Sequence, residues 1–167
     1  MDYLVKDANK IMIMLLLHPN PSLLMLIYLT RIRCKDQSAV VWNSSLTLKN
    51  ISDLERVQKS AVRIICGKKY DSYSKTLQEL GIQRLSERRD MLCLKFAKKS
   101  LKVENFKHLF PINSKQHKMK TRENDLYTVN NGFSARYQKS AIPAMQKILN
   151  RDRKEQLTAL KQLKMKA

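Results

Sequence analysis

Along most of this chain, hydrophobic residues recur every three or four positions, as on one face of a helix, and Pro, Gly and short polar clusters separate the runs. Residues 7 to 17 predict a first helix, ended by His18-Pro19-Asn20-Pro21, and Ser22 is a candidate N-cap for a second helix running to about Ile32. Both are apolar on most sides, which places them at the centre of a bundle or against a partner surface. Residues 38 to 45 form an extended or short helical connection whose Trp42 is expected to anchor the core rather than stack on a base. The third helix is the clearest: Ser52 as cap, acidic Asp53 and Glu55 in the first turn, Leu54, Val57, Ala61 and Ile64 on one side, Gly67 as the stop. Its other side carries Arg56, Lys59 and Arg63, which Lys68 and Lys69 extend into a basic edge.

Ser72 then caps a short helix through Leu80 that Gly81 closes, and Ser86 opens a longer one to about Lys102. On that helix Leu85, Leu92, Phe96 and Leu101 share a face, with Arg88, Arg89, Lys95, Lys98, Lys99 and Lys102 elsewhere. Residues 112 to 140 lack periodicity and mix Lys118, Lys120, Arg122, Arg136 and Lys139 with Tyr127, Phe133 and Tyr137. Two readings stay open for this segment: an arm whose cations track phosphates while rings stack on unpaired bases, or a loop draped over the core with its aromatics inward. Residues 141 to 149 give one more helical stretch, and 151 to 167 a basic tail helix. The expected fold is all-α: a small irregular helical bundle with a basic, poorly structured C-terminal arm. Its expected divisions are a helical domain over 1–111, a basic loop or arm over 112–140, and short C-terminal helices or tail over 141–167.

Composition supports helices, because 167 residues contain only three Gly and four Pro. Charge changes the picture more. Against 14 acids stand 33 Lys and Arg, a formal net charge of +19 that a polyanion would relieve. Nucleic acid is the expected partner, since each phosphate neutralised releases counterions. An acidic membrane surface, an acidic protein or a merely solvated basic surface are the alternatives. The apolar run from Ile11 to Leu29 resembles a membrane span, but Pro19 and Pro21 divide it into two stretches, each short of the roughly 20 residues a span needs. Membrane attachment is therefore not expected, and the sequence shows no secretory cleavage pattern.

Cys34, Cys66 and Cys93 are odd in number and widely spaced, which argues against a disulfide framework and for a reducing, intracellular setting, nucleus or cytoplasm. No His lies at zinc-finger spacing from them. Gly67, Gly81 and Gly132 stand alone, so no Gly-rich phosphate loop exists, and neither G-x-S-x-G nor H-E-x-x-H occurs. Two-metal phosphoryl transfer needs clustered carboxylates, whereas Glu79, Glu87, Glu123 and Asp125 sit in ordinary surface contexts. No catalytic residue, metal or cofactor is expected.

A succession of short strings carries a resemblance: Ala39-Val-Val-Trp-Asn-Ser-Ser-Leu-Thr47, Leu54-Glu-Arg-Val-Gln-Lys-Ser-Ala-Val-Arg-Ile-Ile65, Leu77-Gln-Glu-Leu-Gly-Ile82, Leu85-Ser-Glu-Arg-Arg89 and Leu94-Lys-Phe-Ala-Lys-Lys99, then Leu109-Phe-Pro111 and Ser140-Ala-Ile-Pro143. In order and spacing, residues 39 to 150 resemble the C-terminal part of jockey-like non-LTR retrotransposon reverse transcriptases. Upstream the likeness thins: Cys34 stands where that family usually has proline, and Asp36-Gln37-Ser38 replaces an acidic-aromatic pair. The resemblance implies a truncated, thumb-like region that follows the polymerase palm and contacts template and primer. The aromatic-Ala-Asp-Asp string of the polymerase is missing, so no catalytic residue carries over.

The expected function is a non-catalytic nucleic-acid-binding fragment whose partner is RNA or an RNA–DNA duplex, with a polymerase palm domain on another chain as a further partner. Arg63, Lys68, Lys69, Arg88, Arg89, Lys95, Lys98 and Lys99 would supply the folded surface, and Lys118, Lys120, Arg122, Arg136 and Lys139 the arm. The alternative is an orphan protein-interaction fragment, a decayed element copy without independent activity, whose apolar faces once packed on a missing neighbour.

Overall fold

The computed structural model describes residues 20–113, 125–129 and 134–166, together with Lys6, Lys10 and Gly132. Apart from Lys10, the helix expected over 7 to 17 lies outside the described residues, as do Lys118, Lys120, Arg122 and Phe133. The fold is all-α, and no strand occurs among the described residues. An antiparallel bridge joins Ile112 to Tyr127.

Helix α1 spans Pro21–Ile27 and passes through a π turn at Tyr28–Ile32 and a 3-10 turn at Arg33–Ser38 into the four-residue α2, Ala39–Trp42. Its cap is Asn20, whose side chain accepts from the Ser22 N–H at 2.9 Å, rather than Ser22 itself. Pro21 explains the difference: its fixed φ and missing N–H suit the first helical position, which moves the cap one residue upstream of it. Helix α3 spans Leu48–Cys66 and starts five residues before the expected Asp53-Leu54 turn, because Thr47 takes the capping role and accepts from the Asn50 N–H at 3.2 Å. Ser52 is simply interior. Gly67, at φ +50°, ends α3 as anticipated, and Ser72 caps α4, Tyr73–Glu79. Helix α5 spans Leu85–Ser100, α6 Ala135–Gln138 and α7 Ala141–Lys166.

By packing, the chain divides into two compact units. The first comprises Met1–Ala39 and Leu46–Arg89, and the second Val40–Ser45 and Asp90–Ala167. Phe110 is a core residue of the second unit. In the first unit Leu24, Tyr28 and Ile32, each four residues apart, meet Val57, Ala61, Val62 and Ile65 of α3, with Leu77 and Ile82 completing the cluster. Each fully buried side chain of this size contributes about 1.5–3 kcal/mol relative to exposure.

In the second unit Ala97, Phe110, Met145 and Leu149 form the core. Tyr127 packs edge-on against Phe110, with ring centroids 6.3 Å apart. Asn150 exchanges two hydrogen bonds with the Tyr127 backbone, accepting at 3.0 Å and donating at 2.9 Å, and Gln146 donates to the Leu109 carbonyl at 2.8 Å. These bonds tie residues 109 and 127 to α7. For Tyr127, therefore, the ring-inward reading is the one observed. The C-terminal region also differs from expectation: residues 141 to 166 form one continuous helix of 26 residues, not short pieces.

Candidate nucleic-acid interface

On α3 the apolar face turns Leu54, Val57, Ala61 and Ile65 inward, so the opposite positions Arg56, Lys59 and Arg63 reach solvent. They recur at three- and four-residue intervals and therefore share a face. Gly67 lets the chain turn into the 3-10 segment Gly67–Lys69, where Lys68 and Lys69 are both exposed. Arg56 pairs with Asp53 at 3.2 Å, but Lys59, Lys68 and Lys69 make no ion pair among the described residues. The Arg63 guanidinium lies 5.2 Å above the Tyr70 ring, a cation–π contact that fixes its direction without neutralising it. The basic edge expected at this place thus exists as a row of exposed charge.

Arg89 does not belong to such a surface. It is 1% exposed and faces Asp36, 8% exposed at its side chain, across 3.9 Å. The reason is helical register: Leu85, Arg89, Cys93 and Ala97 follow one another at four-residue steps and form the buried line of α5. Leu92 and Phe96, expected on that line, lie beside it, and Phe96 is 45% exposed. Arg88 is half-buried and stands close enough to Asp36 to bias its ionisation. Burial pushes the Asp36 carboxyl up, while Arg89, Arg88 and Arg33 pull it back. Burial likewise pushes the Tyr28 phenol far up and holds the Arg33 guanidinium below its ordinary value. Glu55 belongs to the same unit and accepts from the Ser86 N–H at 2.9 Å and from the Tyr73 hydroxyl at 2.8 Å. Burial and that bond to Glu55 raise Tyr73 strongly.

In the second unit Lys95, Lys98 and Lys99 are exposed on α5, away from its buried line, and Lys102 is exposed just beyond. Lys98 pairs with Asp152 at 2.8 Å, whereas Lys95 and Lys99 have no ion-pair partner among the described residues. Arg136 and Lys139, at α6, are also exposed. Helix α7 adds cations beyond the candidate set, in the stretch that the sequence reads as a basic tail helix. Arg151 reaches Asp90 at 3.1 Å and Lys154 reaches Asp125 at 2.8 Å, while Lys147, Arg153 and Lys161 are exposed.

Among the described residues no group of three or more His, Cys, Asp or Glu could hold a metal ion. No described helix is long and apolar enough to cross a membrane. Comparison with known proteins finds no matching family model, no matching curated protein and no matching solved structure. What the chain can do is thus argued from its own side chains: exposed cations on rigid helices offer charge and hydrogen-bond donors, and suit a ligand built of repeated anions.

Proposed function

We propose that this chain is a non-catalytic, intracellular nucleic-acid-binding fragment, related to the C-terminal region of a retrotransposon RNA-directed DNA polymerase, that holds RNA or an RNA–DNA duplex through phosphates. The observation that carries this reading is the row Lys59, Arg63, Lys68 and Lys69, exposed on one helix face and the turn after it without an acidic partner among the described residues. A solvated surface would be expected to interleave acids, as Arg56 with Asp53 and Lys75 with Asp71 do nearby. Lys95 and Lys99 supply a similar pair in the second unit. Contacts of this kind position a backbone and carry little base preference. With Arg89 removed from the contact set, the folded surface rests on the remaining cations.

A salt titration tests the reading. If about six phosphates are engaged, log affinity for a duplex falls with log salt at a slope of about −5, and Lys68→Gln with Lys69→Gln flattens the slope by about 2. A response independent of salt would remove the proposal.

A second reading, an interaction fragment that docks on another protein such as a polymerase palm, is favoured by one observation. Leu157, Leu160 and Leu163 of α7 are 46%, 55% and 66% exposed and continue the helix face that buries Met145 and Leu149. It predicts self-association or aggregation that Leu160→Lys and Leu163→Lys relieve, with nucleic-acid affinity unchanged.

A further inference from the structure

In the first unit, the start of α1, the last turn of α3 and the end of α4 line an open cleft of about 720 Å³, within the size range of small-ligand sites. Met25, Ile65 and Leu80 give it apolar walls, Lys68 and Lys69 contribute two ammonium groups, and Glu79 adds a carboxylate. Cys66 also lines it. Glu79 is the last residue of α4, where the helix dipole disfavours a negative charge, and no cation pairs with it among the described residues. Helix stability therefore does not account for it. Burial and, after it, the Glu79 charge raise the Cys66 thiol.

The cleft is continuous with the cation row. Cys66 lies three residues after Arg63 and seven after Lys59, so the α3 face that carries those cations ends at the cleft wall. A ligand that fits both features has a chain of phosphates joined to a flat, largely apolar ring bearing hydrogen-bond donors. We infer that the cleft takes an unpaired base of a bound RNA strand. The base lies against Met25, Ile65 and Leu80, and its phosphates rest on Lys68 and Lys69 as the strand continues toward Arg63 and Lys59. Glu79 accepts from the exocyclic amino group. Cytosine, adenine and guanine offer that donor, whereas the O4 of uracil opposes acceptor to acceptor. This inference rests on the nucleic-acid reading above and adds which part of the nucleic acid is held.

The test uses the full chain and a blunt RNA hairpin compared with the same hairpin carrying a short single-stranded cytidine tail. The tail is expected to tighten binding about tenfold, equivalent to about 1.4 kcal/mol. A uridine tail gains less, and Glu79→Ala makes the two tails equal. Alkylation of Cys66, followed by peptide mapping on the unmodified sequence, slows with the tailed hairpin and not with the blunt one, which keeps the test informative if a variant fails to fold. Equal affinities for tailed and blunt hairpins and unchanged Cys66 alkylation, with salt-dependent binding intact, would overturn the cleft assignment and leave the phosphate reading standing. Absence of salt-dependent binding to either hairpin would overturn both.

Discussion

Asp36 and Arg89 face each other at 3.9 Å, with side chains 8% and 1% exposed, and the energetics of such a pair are asymmetric. Desolvating both charges offsets much of their attraction, and at Asp36 burial outweighs the neighbouring guanidinium groups. The carboxyl itself adds a pH dependence. Burial raises Asp36 above its ordinary value, Arg89, Arg88 and Arg33 counter the rise, and Glu55 adds to it. A carboxyl raised on folding binds its proton more tightly in the native state. Its stabilising contribution is complete below the ordinary carboxylate value, about 3.9, and is lost as pH climbs through the higher folded value. The stability of the native protein relative to Asp36→Asn should consequently decline as pH rises across that window. A pH-independent difference between the two proteins would contradict this assignment.

Helices are the scale at which local sequence rules were most useful, and also where neighbouring signals competed. In α3 both Thr47 and Ser52 have capping side chains, and Ser52 precedes acidic residues. Thr47 is the residue with extended backbone and a bond to the Asn50 N–H, so it decides where the helix begins. Thr47→Ala should cost about 1 kcal/mol in thermal or chemical unfolding, and Ser52→Ala, exposed within the helix, should change stability by no more than about 0.5 kcal/mol. The reverse ranking would place the start at Ser52. The α3 stripe of Leu54, Val57 and Ala61, the Gly67 stop and the Ser72 cap were legible because each depends on residues within a turn of one another. The buried line of α5 was not. A hydrophobicity pattern gives an arginine to the surface, whereas Arg89 is interior and faces a carboxylate 53 positions upstream.

For the whole molecule, a net charge of +19 sets both stability and partner choice. Like charges on one chain repel in the compact state, so the melting temperature should rise with added salt and rise further with a saturating polyanion. The first effect is screening and the second is binding to the native state. Duplex affinity should move in the opposite direction, weakening as salt increases. A melting temperature that fell steadily between low and moderate salt would mean that the described ion pairs, such as Lys98 with Asp152 and Lys154 with Asp125, outweigh the repulsion. At this scale the excess of cations could be counted from the sequence, but not their distribution. Separating Lys68 and Lys69 from Arg89 required knowing which face each helix turns inward.

The sequence by itself determined the all-α class, the apolar stripe of α3, its glycine stop and the excess of positive charge, because these follow from composition and from interactions a few residues apart. Only the tertiary structure decided that Arg89 is paired inside, that Phe110 and Tyr127 belong to the core of the second unit, and that Glu79 shares a cleft with Lys68 and Lys69. Those outcomes depend on groups far apart in the chain, and the balance between hydrating a charge and burying it is struck only once packing has brought them together.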